Sequence, residues 1–193
     1  MEQTTETNTK TSIIKKYLPF VWEIFKIFII ASVIVLPIRY FLFQPFIVKG
    51  ESMIPNFQQG DYLIVDEISY RFSDPQRGDV VVFKYPKDIS QKFIKRIIGL
   101  PGETVEVKDG KVTIHKDNNS QVLDEEYLPN PSGTIGTITI TLGADEYFVL
   151  GDNREFSYDS RAWGAVPVKN IIGKVFLRVL PVAALSRIVV PNY

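Results

Sequence analysis

The sequence contains no cysteine and a single histidine, His115, and its 22 basic residues balance its 22 acidic ones. Without cysteine there is no disulfide, no thiolate nucleophile and no cysteine metal site. One histidine excludes a histidine-based metal cluster and a histidine pair. Balanced charge leaves no global field that would draw nucleic acid or an acidic polymer. No internal repeat and no low-complexity segment interrupts the chain. Its 193 residues suffice for one domain with a real core and an appendage. What is plentiful is aromatic and turn-forming: 13 Phe, 9 Tyr, 12 Gly and 12 Pro, a mix that suits an all-β body.

The appendage is N-terminal. Residues 1–11 are polar and are expected to be a disordered tail. Lys10, Lys15 and Lys16 then precede an apolar run over 21–38, 18 residues, about the minimum for crossing a bilayer as a helix. Glu23 and Lys26 can pair or snorkel near its start, Arg39 can snorkel at its far end, and Trp22 and Tyr40 suit the interfaces. A cleaved signal peptide would have a shorter apolar core and a small-residue cleavage site, and a buried core helix would need more protein around it. The expectation is a cytoplasmic tail over 1–16, one transmembrane anchor over 17–43, and residues 44–193 as an extracytoplasmic β-rich domain. The lysines before the anchor set that orientation.

After the anchor the pattern is β. Short β-branched and aromatic runs at 61–65, 79–85 and 92–98 are separated by turn residues around 73–75 and 86–88. Asp109-Gly110 is a hairpin turn signal within 106–115, flanked by alternating Val107, Val112 and Ile114. Residues 117–133 are polar and proline-containing, and an exposed excursion is expected. Residues 137–142 alternate as a half-buried strand should, 147–150 read as a buried strand, and 171–180 as a closing strand.

Three clusters bear chemistry. Ser52 lies in 45–57 (PFIVKGESMIPNF), after Gly50 and before Pro55, which cannot donate to a sheet ladder. It is a candidate nucleophile or an ordinary turn serine. Strand alternation puts Lys95 and Arg96 on opposite faces of 92–98. If Phe93 and Ile97 face a core, so does Lys95, and burial would make it a base near neutral pH. The alternative is a lysine that snorkels to water beside an edge strand. The third cluster, GDNREFSYDSR over 151–161, packs Asp152, Arg154, Glu155, Asp159 and Arg161 around Ser157. It is either a solvated loop or a polar scaffold in which carboxylates fix arginines and Ser157 orients an amine.

With the anchor, Ser52-Met53-Ile54-Pro55, KRIIGLPG over 95–102 and GDNREFSYDSR in that order, the chain resembles the type I signal peptidases. These are membrane-anchored serine endopeptidases, and the likeness is to the bacterial single-anchor type. It spans most of residues 15–180.

The resemblance implies a Ser–Lys dyad with Ser52 as nucleophile and Lys95 as general base, with no cofactor and no metal. It implies that Ser157 hydrogen-bonds the lysine amine, that Asp159, Arg161 and Arg96 form an ion-pair scaffold, and that Asp152 is a supporting carboxylate. The Ser52 backbone N–H would be an oxyanion donor. Gly50 stands where some members carry a second, serine donor, Asn56 where threonine is common, and Glu103 where aspartate is frequent. The implied fold is mostly β, with antiparallel sheets and a short cap inserted over about 105–144. The implied partners are signal-peptide-bearing preproteins and the phospholipid membrane, with no nucleic acid, and the implied location is the plasma membrane. Rival readings are a soluble self-cleaving Ser–Lys repressor and an inactive tethered β module that binds peptides.

Overall fold

A computed structural model describes residues 6–37, 43–129, 133–181, 186–187 and 191. The chain divides into two compact units, residues 1–42 and 43–193. The first is dominated by one helix, α1 (Glu6–Pro37), which starts five residues beyond the chain's first methionine. Residues 6–11 are therefore helical rather than disordered. Once a long apolar segment has nucleated a helix, extension adds one hydrogen bond for each residue fixed, so polar residues can join its start. The stretch Leu18–Leu36 is long and apolar enough to cross a membrane and has no face packed inside the unit. Lys26 Nζ meets Glu23 Oε1 at 2.7 Å, and Trp22 stacks on Phe25. Arg39 and Tyr40 lie outside the described residues.

The second unit is built from twelve described strands, all paired antiparallel. Those that form the main sheet are β1 (Phe43–Ile47), β2 (Tyr62–Asp66), β3 (Val80–Tyr85), β4 (Asp88–Gly99), β9 (Glu146–Leu150), β10 (Val166–Pro167), β11 (Ile171–Leu180) and β12 (Ser186–Arg187). Their order is β1-β2-β11-β3-β4-β9-β10, with β12 beside β11. A smaller sheet, ordered β7-β6-β5-β8, comprises β5 (Thr104–Lys108), β6 (Lys111–Lys116), β7 (Asn119–Val122) and β8 (Ile138–Thr141). The fold is mostly β and antiparallel, as the sequence leads one to expect.

Alternation explains the core. In β3, Val80 and Val82 enter one cluster with Met53, Phe57, Leu63 and Ile94, while Val81 and Phe83 enter a second with Ile97, Val149 and Trp163. A strand covered on both faces needs the unbroken apolar run that β3 has. A third cluster fills the smaller sheet through Val105, Val107, Val112 and Ile114. Asp109 and Gly110 both take positive φ (50° and 79°), the geometry of the tight hairpin turn, and join β5 to β6.

The expected excursion over 117–133 is corrected. Its first part is β7, paired with β6, and Leu123, Glu125 and Leu128 beyond it are buried. β7 is exposed along its whole length, so no alternation marked it as a strand. Residues 130–132 lie outside the described set.

Candidate active site

Ser52 is carried by the connection between β1 and β2. The ladder continues past β1 through Val48 N–H to Asp61 carbonyl and Gly60 N–H to Val48 carbonyl, and the chain then loops out. Met53 and Phe57, each 1% exposed, pin that loop into the core beside Ser52. Gly50 takes φ +86°, which a residue with a side chain adopts only under strain.

Lys95 comes from the middle of β4, paired with Val81, and Arg96 with both Val80 and Leu150. That second register sets the GDN segment, which begins at Gly151 immediately after β9, beside Arg96. Phe93 and Ile97 both contribute to one core cluster, and Lys95 is buried with them, 4% exposed. The snorkelling alternative is thus excluded. Its Nζ lies 2.7 Å from Ser52 Oγ and 3.1 Å from the Ile94 carbonyl, to both of which it donates, and 5.5 Å from the centre of the Phe93 ring.

Burial lowers the Lys95 pKa from its ordinary value to about 8, against the opposing pull of the Asp159 and Asp152 carboxylates. Desolvation penalises only the charged amine, and neither carboxylate touches it directly enough to restore the charge. The result is a side chain that is neutral in about a tenth of molecules at pH 7 and in about half near pH 8. A neutral lysine amine has a lone pair, and at this separation it can accept the serine proton.

The GDNREFSYDSR segment is a scaffold rather than a solvated loop. It takes part in three ion pairs, Arg96–Asp152, Arg161–Asp159 and Arg154–Glu125. Arg96 donates from Nε to Asp152 Oδ1 (2.9 Å) and from Nη2 to Asp152 Oδ2 (2.7 Å), with both side chains almost fully buried. Arg161 makes a matching two-point contact with Asp159, 2.8 Å in each arm. Asp159 also accepts from Gly151 N–H and caps the short helix α2 (Ser160–Trp163) through Arg161 N–H. The loop is laced to the serine by Asn153, whose backbone N–H donates to the Ser52 carbonyl (3.0 Å) and whose side chain donates to the Glu51 carbonyl (3.1 Å).

Ser157 is placed differently from what the resemblance implies. Its Oγ is buried and has no hydrogen-bond partner, and the donors and acceptors of Lys95 do not include it. A Cβ added to Gly151 would meet both Ser157 Oγ and the Ser52 carbonyl, so Ser157 stands next to the paired loops.

Several site residues escaped sequence reasoning. Glu125, from the supposed excursion, is buried and binds the buried Arg154 through both arms, Arg154 Nη1 to Glu125 Oε2 being 2.7 Å. Tyr127 lays its ring over Arg96, with the guanidinium carbon 4.3 Å from the ring centre. Asn56 donates to Asp152 Oδ2 (2.9 Å) and to the Tyr127 carbonyl (3.2 Å). Only Asn56 carried any signal, as a departure from the family pattern.

A groove of about 690 Å³ opens at Ser52, walled by Phe46, Ile47 and Lys49 on one side and by residues 90–95 on the other. Among the described residues no strand pairs with the outer edge of β1, nor with that edge of β4 before Arg96. Among the same residues no three His, Cys, Asp or Glu side chains converge as a metal site.

Against known proteins, the family model described as signal peptidase, peptidase S26, matches residues 21–180. The chain belongs to that family. It is 39% identical over 176 residues to the probable signal peptidase I-1 of Synechocystis, covering 85% of this chain and 87% of that one. It is 42% identical over 167 residues to the signal peptidase I of Leptolyngbya laminosa, covering 82% and 79%. A solved signal peptidase I from Enterococcus faecalis is 35% identical and matches with a TM-score of 0.47 over 53% of this chain and 97% of that one. By family membership and by its likeness to the Synechocystis and Leptolyngbya enzymes the chain is a protease of the signal peptidase I kind.

Proposed function

We propose that the chain removes signal peptides from secreted preproteins at the outer face of the plasma membrane, by acyl-enzyme chemistry on Ser52 with Lys95 as general base. The observation that carries this reading is the 2.7 Å approach of Lys95 Nζ to Ser52 Oγ, with the lysine almost fully buried. Neutral Lys95 takes the hydroxyl proton as Oγ attacks the scissile carbonyl, giving a tetrahedral oxyanion. The protonated amine then protonates the leaving nitrogen, and the C–N bond breaks to leave an ester on Ser52. Neutral again, Lys95 takes a proton from water, which adds to the ester carbonyl, and Ser52 leaves with that proton.

The Ser52 backbone N–H serves as oxyanion donor, and Gly50 contributes no hydroxyl. Arg96–Asp152 and Arg161–Asp159 keep the lysine strand and the GDN loop in place. The signal peptide's C-terminal end lies extended in the groove, adding backbone hydrogen bonds to the open edges of β1 and β4.

In the same reading α1 crosses the membrane once, with the N-terminus cytoplasmic behind Lys10, Lys15 and Lys16. Residues 44–193 are then extracytoplasmic, with the smaller sheet as the cap. Preprotein and membrane are the partners.

The test is cleavage of a detergent-solubilised preprotein by wild type, Ser52→Ala and Lys95→Met. Both variants are expected to lose about 10³-fold or more in kcat. The wild-type rate is expected to rise with pH through about 8, as the amine loses its proton. Cleavage by Lys95→Met at the wild-type rate would place the general base elsewhere. A folded wild type that cuts nothing would favour the tethered binding module.

A further inference from the structure

The segment after β7 is fastened to the site at every polar side chain it directs inward. Glu125 holds Arg154, whose Nε in turn donates to the Gly151 carbonyl at 3.1 Å. The Tyr127 hydroxyl donates to Glu125 Oε1 (2.8 Å) and accepts from Arg154 Nη2 (3.1 Å). Thr134 accepts from Arg154 as well. From the other direction Asn56, four residues beyond Ser52, reaches both the Tyr127 carbonyl and Asp152. The Tyr127 ring meanwhile covers Arg96, the residue after Lys95.

One residue thus touches three elements: the lysine strand by its ring over Arg96, the GDN loop by its hydroxyl to Arg154, and the serine loop by its backbone carbonyl to Asn56. We propose that Tyr127 is a positioning residue that clamps the serine loop, the lysine strand and the GDN loop in register, with Glu125 as its anchor. The inference rests on the dyad reading above. Tyr127 is not among the residues that line the groove, so it acts on turnover through Arg96 and not on substrate docking.

Its loss has a defined direction. The groups that face Lys95 are Ser52, the Ile94 carbonyl and the Phe93 ring at contact, and Asp159 and Asp152 through their charges. Removing the aromatic cover admits water to the Arg96–Asp152 pair and loosens it. Hydration of the site and a less neutralised Asp152 both favour the charged amine.

The experiment uses the full chain in detergent with a preprotein substrate, comparing wild type, Tyr127→Leu, Tyr127→Phe and Lys95→Met. In Tyr127→Leu, kcat is expected to fall roughly ten- to a hundredfold with KM within about twofold. The acidic limb of its rate profile is expected to move up by about one pH unit. Tyr127→Phe keeps the ring over Arg96 while losing the hydroxyl's bonds to Glu125 and Arg154, and is expected to restore the greater part of the limb. Tyr127→Met, whose flexible chain fills more of the gap, carries the same expectation as leucine should the leucine variant not fold.

A limb at the wild-type pH in the Leu or Met variant, with Lys95→Met inactive, overturns the clamp and leaves the dyad standing. Wild-type cleavage by Lys95→Met overturns the dyad itself.

Discussion

Lys95 is held where its charge is unwelcome, and that has a measurable effect on stability. Its pKa is about 8 in the folded protein against an ordinary 10.5, so between those values the unfolded chain binds more protons and stability rises with pH. Below about pH 8 both states carry the proton and the folded protein bears the whole penalty, roughly 3 kcal/mol. Lys95→Met is therefore expected to raise the melting temperature near neutral pH by several degrees, with the gain fading as pH approaches the ordinary lysine value. Melting curves of wild type and variant at neutral and strongly alkaline pH check this, and an equal gain at both would refute it. This residue was legible in the sequence because the alternation of Phe93, Lys95 and Ile97 is a local pattern. Ser157 was not, because no local pattern tells that its buried hydroxyl lacks a hydrogen-bond partner.

At the scale of elements, the site is the place where the end of β9 meets the loop after β1. Gly151 is where they touch, and a side chain there would strike the Ser52 carbonyl and Ser157. Gly151→Ala is expected to reduce kcat by about 10²-fold, since it must push the serine loop off the lysine. Single-turnover cleavage beside a circular-dichroism spectrum tests this, and a folded variant with wild-type kcat would show that the contact is slack. The β5–β6 hairpin was readable because Asp109-Gly110 supplies its own turn geometry. Strand β7 and the clamp behind it were not. Glu125 and Arg154 are 29 residues apart, and Asn56 and Asp152 are 96 apart. Such pairs are decided by topology, and a buried glutamate looks in sequence like any other in a polar stretch.

The whole molecule divides at residues 42 and 43, and the β-rich unit contains all three core clusters. A chain that starts at Phe43 is expected to cleave a short soluble peptide within about tenfold of the full chain's kcat/KM. On a preprotein embedded in vesicles it is expected to lose roughly 10²-fold, because sharing one bilayer raises the effective concentration of enzyme and substrate. Equal rates on vesicles would remove the tether from the account. The apolar run made the long helix α1 legible from composition. The buried lysine has a last consequence at this scale. Since its removal is expected to make the protein sturdier, a laboratory selection for heat resistance alone is expected to enrich inert molecules, and any programme to harden this enzyme must score survival and turnover together.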